Sequence, residues 1–292
     1  MKKILKFGCG PIAYNDNFIC SGGNKIGVIN PETDEVCATL TGIKNISSLS
    51  MDEKYIYAKS TTGVYGMFDL ETNSLIHKGS CRGREYTSHD GDFFCINEGI
   101  ILDILSFKDK NIYAVKYNFF TNDYEKVFLT DNNFTCYNRI FDNTERKIYF
   151  LFTENCCLNK KQTNCRFFII NVDKLIIEKE FSINFEFGIF PVSLIHSQYI
   201  LLNNMEILDI ITNKRFLLDS NNYYKSSESG YFLKARLTGT NLILVFSETI
   251  FIYNFEKRQL TNKFNCEYCF NAKIINNKLY IATWNGLFLI DK

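Results

Sequence analysis

Eleven cysteines among 292 residues are the first side chains that could do chemistry. Cys266 and Cys269 make a CxxC pair, and Cys156, Cys157 and Cys165 bracket the polar stretch CCLNKKQTNC. Zinc needs four ligands in tetrahedral reach, and a CxxC pair supplies only two. Cys9, Cys81 and Cys266 recur in similar settings, KFGCG, KGSCRG and KFNCE, as the same corner of a repeated unit would. That recurrence favours a small buried apolar residue over a metal ligand. The three histidines, His77, His89 and His196, stand in no HExxH or Ser-His-Asp arrangement. Gly8-Cys9-Gly10 and Gly22-Gly23 precede no helical pattern, so they are turn glycines rather than a phosphate cradle. Lys234 and Arg236 lie two apart in a strand-like run and so share one face. No catalytic signature is present, and no cofactor and no metal are implied.

Composition narrows the classes further. Phe and Tyr number 27 and 17, an aromatic enrichment that favours strands over helices. The 33 basic and 32 acidic residues nearly cancel, which argues against nucleic acid as a partner. No apolar run approaches the roughly 18 residues of a membrane-spanning helix, so no membrane partner is expected. Lys6 interrupts the apolar start of the chain and no small-residue cleavage site follows, so Met1 to Phe7 is read as a mature strand. A cytoplasmic location follows as the expectation, with eleven reduced thiols, no disulfide and no structural zinc.

The elements that must position these residues form a repeat. Asn17 to Leu40, Lys54 to Lys78 and Asn241 to Phe264 overlay almost without gaps, each an apolar strand, a turn, a second strand and a polar hairpin turn. Those turns are Pro31-Glu32-Thr33, Glu71-Thr72-Asn73 and Glu256-Lys257-Arg258. Looser copies start at Gly99, Lys147 and Gln198, and the last copy is Lys278 to Lys292. Strand centres fall near Cys20, Tyr57, Leu102, Phe150, Leu201, Leu244 and Ile281, at spacings of 37, 45, 48, 51, 43 and 37 residues. A further strand precedes each: Pro11 to Asn15, Ile46 to Met51, Asp92 to Asn97, Phe134 to Asp142, Phe190 to His196, Tyr231 to Thr238 and Phe270 to Ile275. The last unit lacks its fourth strand, and the alternating Lys2 to Phe7 can supply it.

This pattern resembles the seven-bladed β-propellers of the WD40-like and quinoprotein-like kind, over the whole chain and at the level of the repeat alone. The Gly-His and Trp-Asp pairs of WD40 repeats are missing, and Trp284 is the only tryptophan. The resemblance implies an all-β, single domain over residues 1–292, with four-stranded antiparallel blades closed by the N-terminal strand. A β-sandwich would explain the strands but not the regular period. The resemblance also implies a binding face, the top, holding Gly8 to Pro11, Ser80 to Arg84, Asn155 to Cys165, Ser220 to Ser229 and Asn265 to Cys269.

Two functions fit. The first is a non-enzymatic, monomeric scaffold that binds another protein through the top face, with Arg82, Arg84, Tyr223, Tyr224 and Trp284 as contacts, since aromatics and Arg dominate interface centres. The second is a ligand-binding or catalytic propeller with an anionic small molecule at an electropositive channel mouth. Arg139, Lys234, Arg236 and Lys273 on innermost strands would bind it. The competing expectation for these four, and the favoured one, is pairing with carboxylates that stiffens the ring, with Asp92 the one clear acid nearby.

Overall fold

The computed structural model describes residues 1–81, 83–85, 92–155, 162–186, 188–218 and 229–291, with the side chains of 84, 85, 137, 138 and 291 outside that description. The strand β1 (Lys2–Leu5) takes no part in the blade nearest to it in sequence. Blade 1 is β2 (Ile12–Tyr14), β3 (Ile19–Gly22), β4 (Ile26–Ile29) and β5 (Val36–Leu40); blade 2 is β6 (Ile46–Met51), β7 (Tyr55–Ser60), β8 (Tyr65–Asp69) and β9 (Ser74–Gly79). Blade 3 holds β10 (Arg84–Glu85), β11 (Phe94–Asn97), β12 (Ile100–Ser106), β13 (Asn111–Asn118) and β14 (Asp123–Asp131). Blade 4 is β15 (Phe134–Asp142), β16 (Lys147–Glu154), β17 (Gln162–Asn171) and β18 (Ile176–Glu186). Blade 5 is β19 (Pro191–His196), β20 (Tyr199–Leu202), β21 (Glu206–Asp209) and β22 (Lys214–Leu217). Blade 6 is β23 (Phe232–Thr238), β24 (Asn241–Phe246), β25 (Thr249–Asn254) and β26 (Gln259–Asn265). Blade 7 is β27 (Cys269–Ile275), β28 (Lys278–Thr283) and β29 (Gly286–Asp291), completed by β1.

Each blade is an antiparallel meander, and the first strand of each lines the centre. β2 lies beside β6 and β27, and β19 lies between β15 and β23. The apolar core is therefore not central. It consists of seven separate layers, one between each pair of neighbouring blades. The second strand of a blade packs on both faces, which is why its sequence is a continuous apolar run rather than an alternating one. All seven strand centres expected from the repeat, Cys20 to Ile281, fall in these strands and are at most 1% exposed.

Local chemistry repeats with the blades. The hairpin between third and fourth strands opens on Asn30, Asp69, Asn118, Asn171, Asp209 or Asn254, whose side-chain oxygen accepts from backbone N–H groups two or three residues on. Four residues after each stands a residue in the left-handed region, Asp34, Asn73, Asn122, Leu175, Asn213 and Arg258, with φ of 51–60°. The Asx turn satisfies the backbone that the hairpin frees, and Asn and Asp tolerate the left-handed conformation.

The expected closure is present: Lys2 pairs with Leu289, Lys3 with Phe288 and Leu5 with Leu287. Leu5 is 2% exposed and fills the space beside Gly27. Gly286 lies at φ 145°, and a Cβ there would run into the Leu5 carbonyl, so only glycine lets the clasp close. The strand expected over Asp92 to Asn97 is β11, and β10 pairs with the other end of the same neighbour, β12. One expectation needs correction. Cys165 does not end a loop; it sits inside β17, fully buried. No helix among the described residues is long and apolar enough to cross a membrane.

Candidate functional site

The innermost strands carry a second repeated device, a bulge close to their first residue. The register shifts at Ser47, Tyr137, Val192, Leu233 and Phe270 in blades 2, 4, 5, 6 and 7. An extra residue in one strand resets which face every later side chain takes. Counted from the bulge, Lys234 is first and Arg236 third in blade 6, and Lys273 is third in blade 7. Arg139 is second in blade 4. The other blades place Leu49, Leu194, Ala235 and Ala272 at that second position, all buried. Arg139 thus occupies a core position, and the structure splits the four cations grouped in the sequence.

Lys234 and Arg236 reach the channel. The Lys234 Nζ lies 3.3 Å and an Arg236 guanidinium nitrogen 3.0 Å from Asp92 Oδ2. Asp92 precedes β11 in blade 3 and the two cations belong to blade 6, so the bridge spans the ring. Asp92 occupies the place an anionic ligand would take between them. Lys273 Nζ lies 5.1 Å from the ring centroid of Tyr14, within range of a cation–π contact.

Arg139 turns instead into the junction of blades 2, 3 and 4. Its guanidinium donates to Asp103 Oδ1 at 2.8 Å, and Lys59 Nζ donates to the same oxygen at 2.9 Å. Tyr65 donates its hydroxyl to Asp103 Oδ2 at 2.8 Å. Lys59 and Asp103 are 0% exposed. Burial and the Asp103 carboxylate hold the Tyr65 phenol protonated, well above its ordinary range. Sequence reading missed Lys59 and Asp103. The available signal was a lone charge inside each of two apolar second strands, YIYAKS and IILDILS.

The blade-to-blade connections and the loops between second and third strands form the top face. Among the described residues, its large exposed apolar side chains all fall on blades 5 to 7: Phe190, Tyr231, Tyr268, Phe270 and Trp284. Tyr231, Tyr268 and Trp284 are 64%, 66% and 69% exposed. Backbone bonds tie the connections of blades 6 and 7 together. The Tyr231 carbonyl accepts from Ser247, the Glu248 carbonyl from Cys266, and the Tyr268 carbonyl from Trp284. The Phe270 and Trp284 rings lie 6.2 Å apart. Phe270 is the bulged residue of β27, which turns it out of the ladder. Of the other contacts expected on this face, Arg82, Tyr223 and Tyr224 lie outside the described residues. Arg84 stands in β10 rather than in a loop, and its side chain is also outside the description.

The cysteine expectation needs correction. Cys266 and Cys269 form a disulfide, so the eleven thiols are not all free. Tyr268, left-handed at φ 54°, folds the short loop back until the two Cα atoms are 6.2 Å apart. The corner residues Cys9, Cys81 and Cys266 are all buried, as small apolar caps would be. Burial pushes the Cys9 and Cys20 thiols up to about 12, which leaves them protonated and poor nucleophiles. His77 packs edge-on against Phe119, and His196 lies beside Ser197 on the surface. Cys156, Cys157 and His89 lie outside the described residues.

Seven antiparallel blades closed through β1 define a seven-bladed β-propeller. The structure is similar to Kuenenia stuttgartiensis hydrazine synthase, at TM-score 0.74 and 10% identity over 100% of this chain and 97% of that one. It is also similar to the Cps50 (Swd1) β-propeller domain of Myceliophteria thermophila, at TM-score 0.67 and 15% identity over 98% of this chain and 96% of that one. Likeness at these identities concerns the fold alone. No family model matches the sequence, and no curated protein matches it.

Proposed function

We propose that this propeller is a non-enzymatic interaction scaffold that binds a partner protein through its top face, over blades 5 to 7. One observation carries the reading: the exposed aromatic residues described on that face gather on one arc, and backbone hydrogen bonds tie its connections together across blades 6 and 7. Aromatic side chains offer large contact area at low entropic cost and dominate interface energetics. Pairing of Lys234 and Arg236 with Asp92, and of Arg139 with Asp103, supports the scaffold over the anion-binding channel. A fold shared with both a hydrazine synthase and a Cps50 (Swd1) domain does not itself choose an activity. The test is a pull-down from the native cell with the wild type and with the Tyr268→Ala/Trp284→Ala double variant. A stoichiometric protein held by the wild type and lost by the variant is expected. A partner retained equally by both would overturn the reading.

A further inference from the structure

The aromatic arc carries acids. Glu248 and Glu267 are exposed, and among the described residues neither is held in an ion pair. Glu248 Cγ lies beside Gly230, and the Glu248 N–H donates to the Ser229 carbonyl, so Glu248 stands against the segment that leads into Tyr231. Glu267 precedes Tyr268 inside the loop closed by the Cys266–Cys269 disulfide. Two exposed carboxylates thus share the connections that carry Tyr231, Tyr268 and Trp284. Lys6, exposed just after β1 and close to the Trp284 turn, is the cation of this arc, while Lys25 and Lys44 stand on the connections of blades 1 and 2.

Resting on the scaffold reading above, we infer that the partner segment seated on this arc carries an arginine. Its guanidinium lies over the ring of Tyr268 or Trp284 and pairs with Glu248 or Glu267. Arginine fits better than lysine. Its planar, weakly hydrated cation stacks on an aromatic face while its edge donates to a carboxylate. A phosphate-bearing partner is disfavoured, because the acids would repel it.

Trp284 is the only tryptophan, so its fluorescence reports on this arc alone. The experiment pans a displayed library of short random peptides lacking tryptophan against the whole protein. Recovered peptides are then titrated by Trp284 emission and by anisotropy of a labelled peptide. Enrichment of arginine is expected. Exchange of that arginine for citrulline, or the Glu248→Gln/Glu267→Gln variant, should weaken binding about tenfold, the order expected of an exposed ion pair together with a cation–π contact. Added salt should weaken it as well. Peptides that need Tyr268 and Trp284 but lack arginine, or that ignore the glutamine variant, would overturn the arginine inference and leave the scaffold reading standing. Recovery of no peptide, or binding indifferent to Tyr268→Ala and Trp284→Ala, would overturn both.

Discussion

The junction of blades 2, 3 and 4 and the top of blades 5 to 7 use polar groups in opposite ways. At the junction, Lys59, Asp103, Tyr65 and Arg139 form a fully enclosed network that bridges three blades. On the arc, Glu248 and Glu267 stand in water beside exposed rings. Enclosed charges are costly unless each is partnered, so the junction commits its groups to one another and locks blade positions. Exposed carboxylates cost little while unpaired and keep their pairing capacity for a partner. The lesson is that a charge on a propeller strand signals structure or recognition according to the face it takes.

The contrast can be broken at graded strength. Deleting Met1 to Gly8 should have the largest effect, because blade 7 loses β1 and the apolar layer around Leu5, and the arc loses its frame. A single cooperative urea transition in the truncated protein at the wild-type midpoint would refute the closure. Asp103→Ala comes next. It leaves Lys59 and Arg139 enclosed without their shared carboxylate and should cost about 3–5 kcal/mol in urea melts. Replacing Lys59, Asp103 and Arg139 together by apolar residues of similar volume should recover most of that loss. Asp92→Asn should cost about 1–2 kcal/mol, since the cross-channel bridge is partly exposed, the Asp92 and Arg236 side chains being 16% and 31% accessible.

Trp284→Ala should sharpen the comparison from the other side. Its effect on the melting midpoint should be within about 0.5 kcal/mol, as for other surface positions, while partner binding should fall by about 2 kcal/mol or more. A loss of stability equal to the loss of binding would make the arc structural rather than functional. The smallest change is chemical: the denatured, unreduced protein should titrate two fewer free thiols than its eleven cysteines, those of Cys266 and Cys269. Labelling of all eleven would show the pair reduced.

Much of the architecture was legible along the chain because its causes are local. Apolar runs mark the doubly covered second strands, and the Asx turns after Asn30, Asp69, Asn118, Asn171, Asp209 and Asn254 mark the blade period. The incomplete last unit and the alternation of Lys2 to Phe7 pointed to the clasp. Even Asp92 was identifiable as the acid near Lys234 and Arg236, since charges bound for a channel need a partner.

Tertiary structure alone decided the rest. The bulge at Tyr137 moved Arg139 from the channel to the core, because one extra residue inverts a pattern of period two. The packing of blades 2, 3 and 4 brought Lys59, Asp103 and Arg139, far apart in sequence, into one buried cluster. Tyr231, Tyr268 and Trp284 are strung along more than fifty residues of blades 6 and 7, and only the packing of those two blades and the backbone bonds between their connections set them on one surface with Glu248 and Glu267. Sequence distance measures nothing across a ring: Asp92 and Lys234 are 142 residues apart and joined by a hydrogen bond.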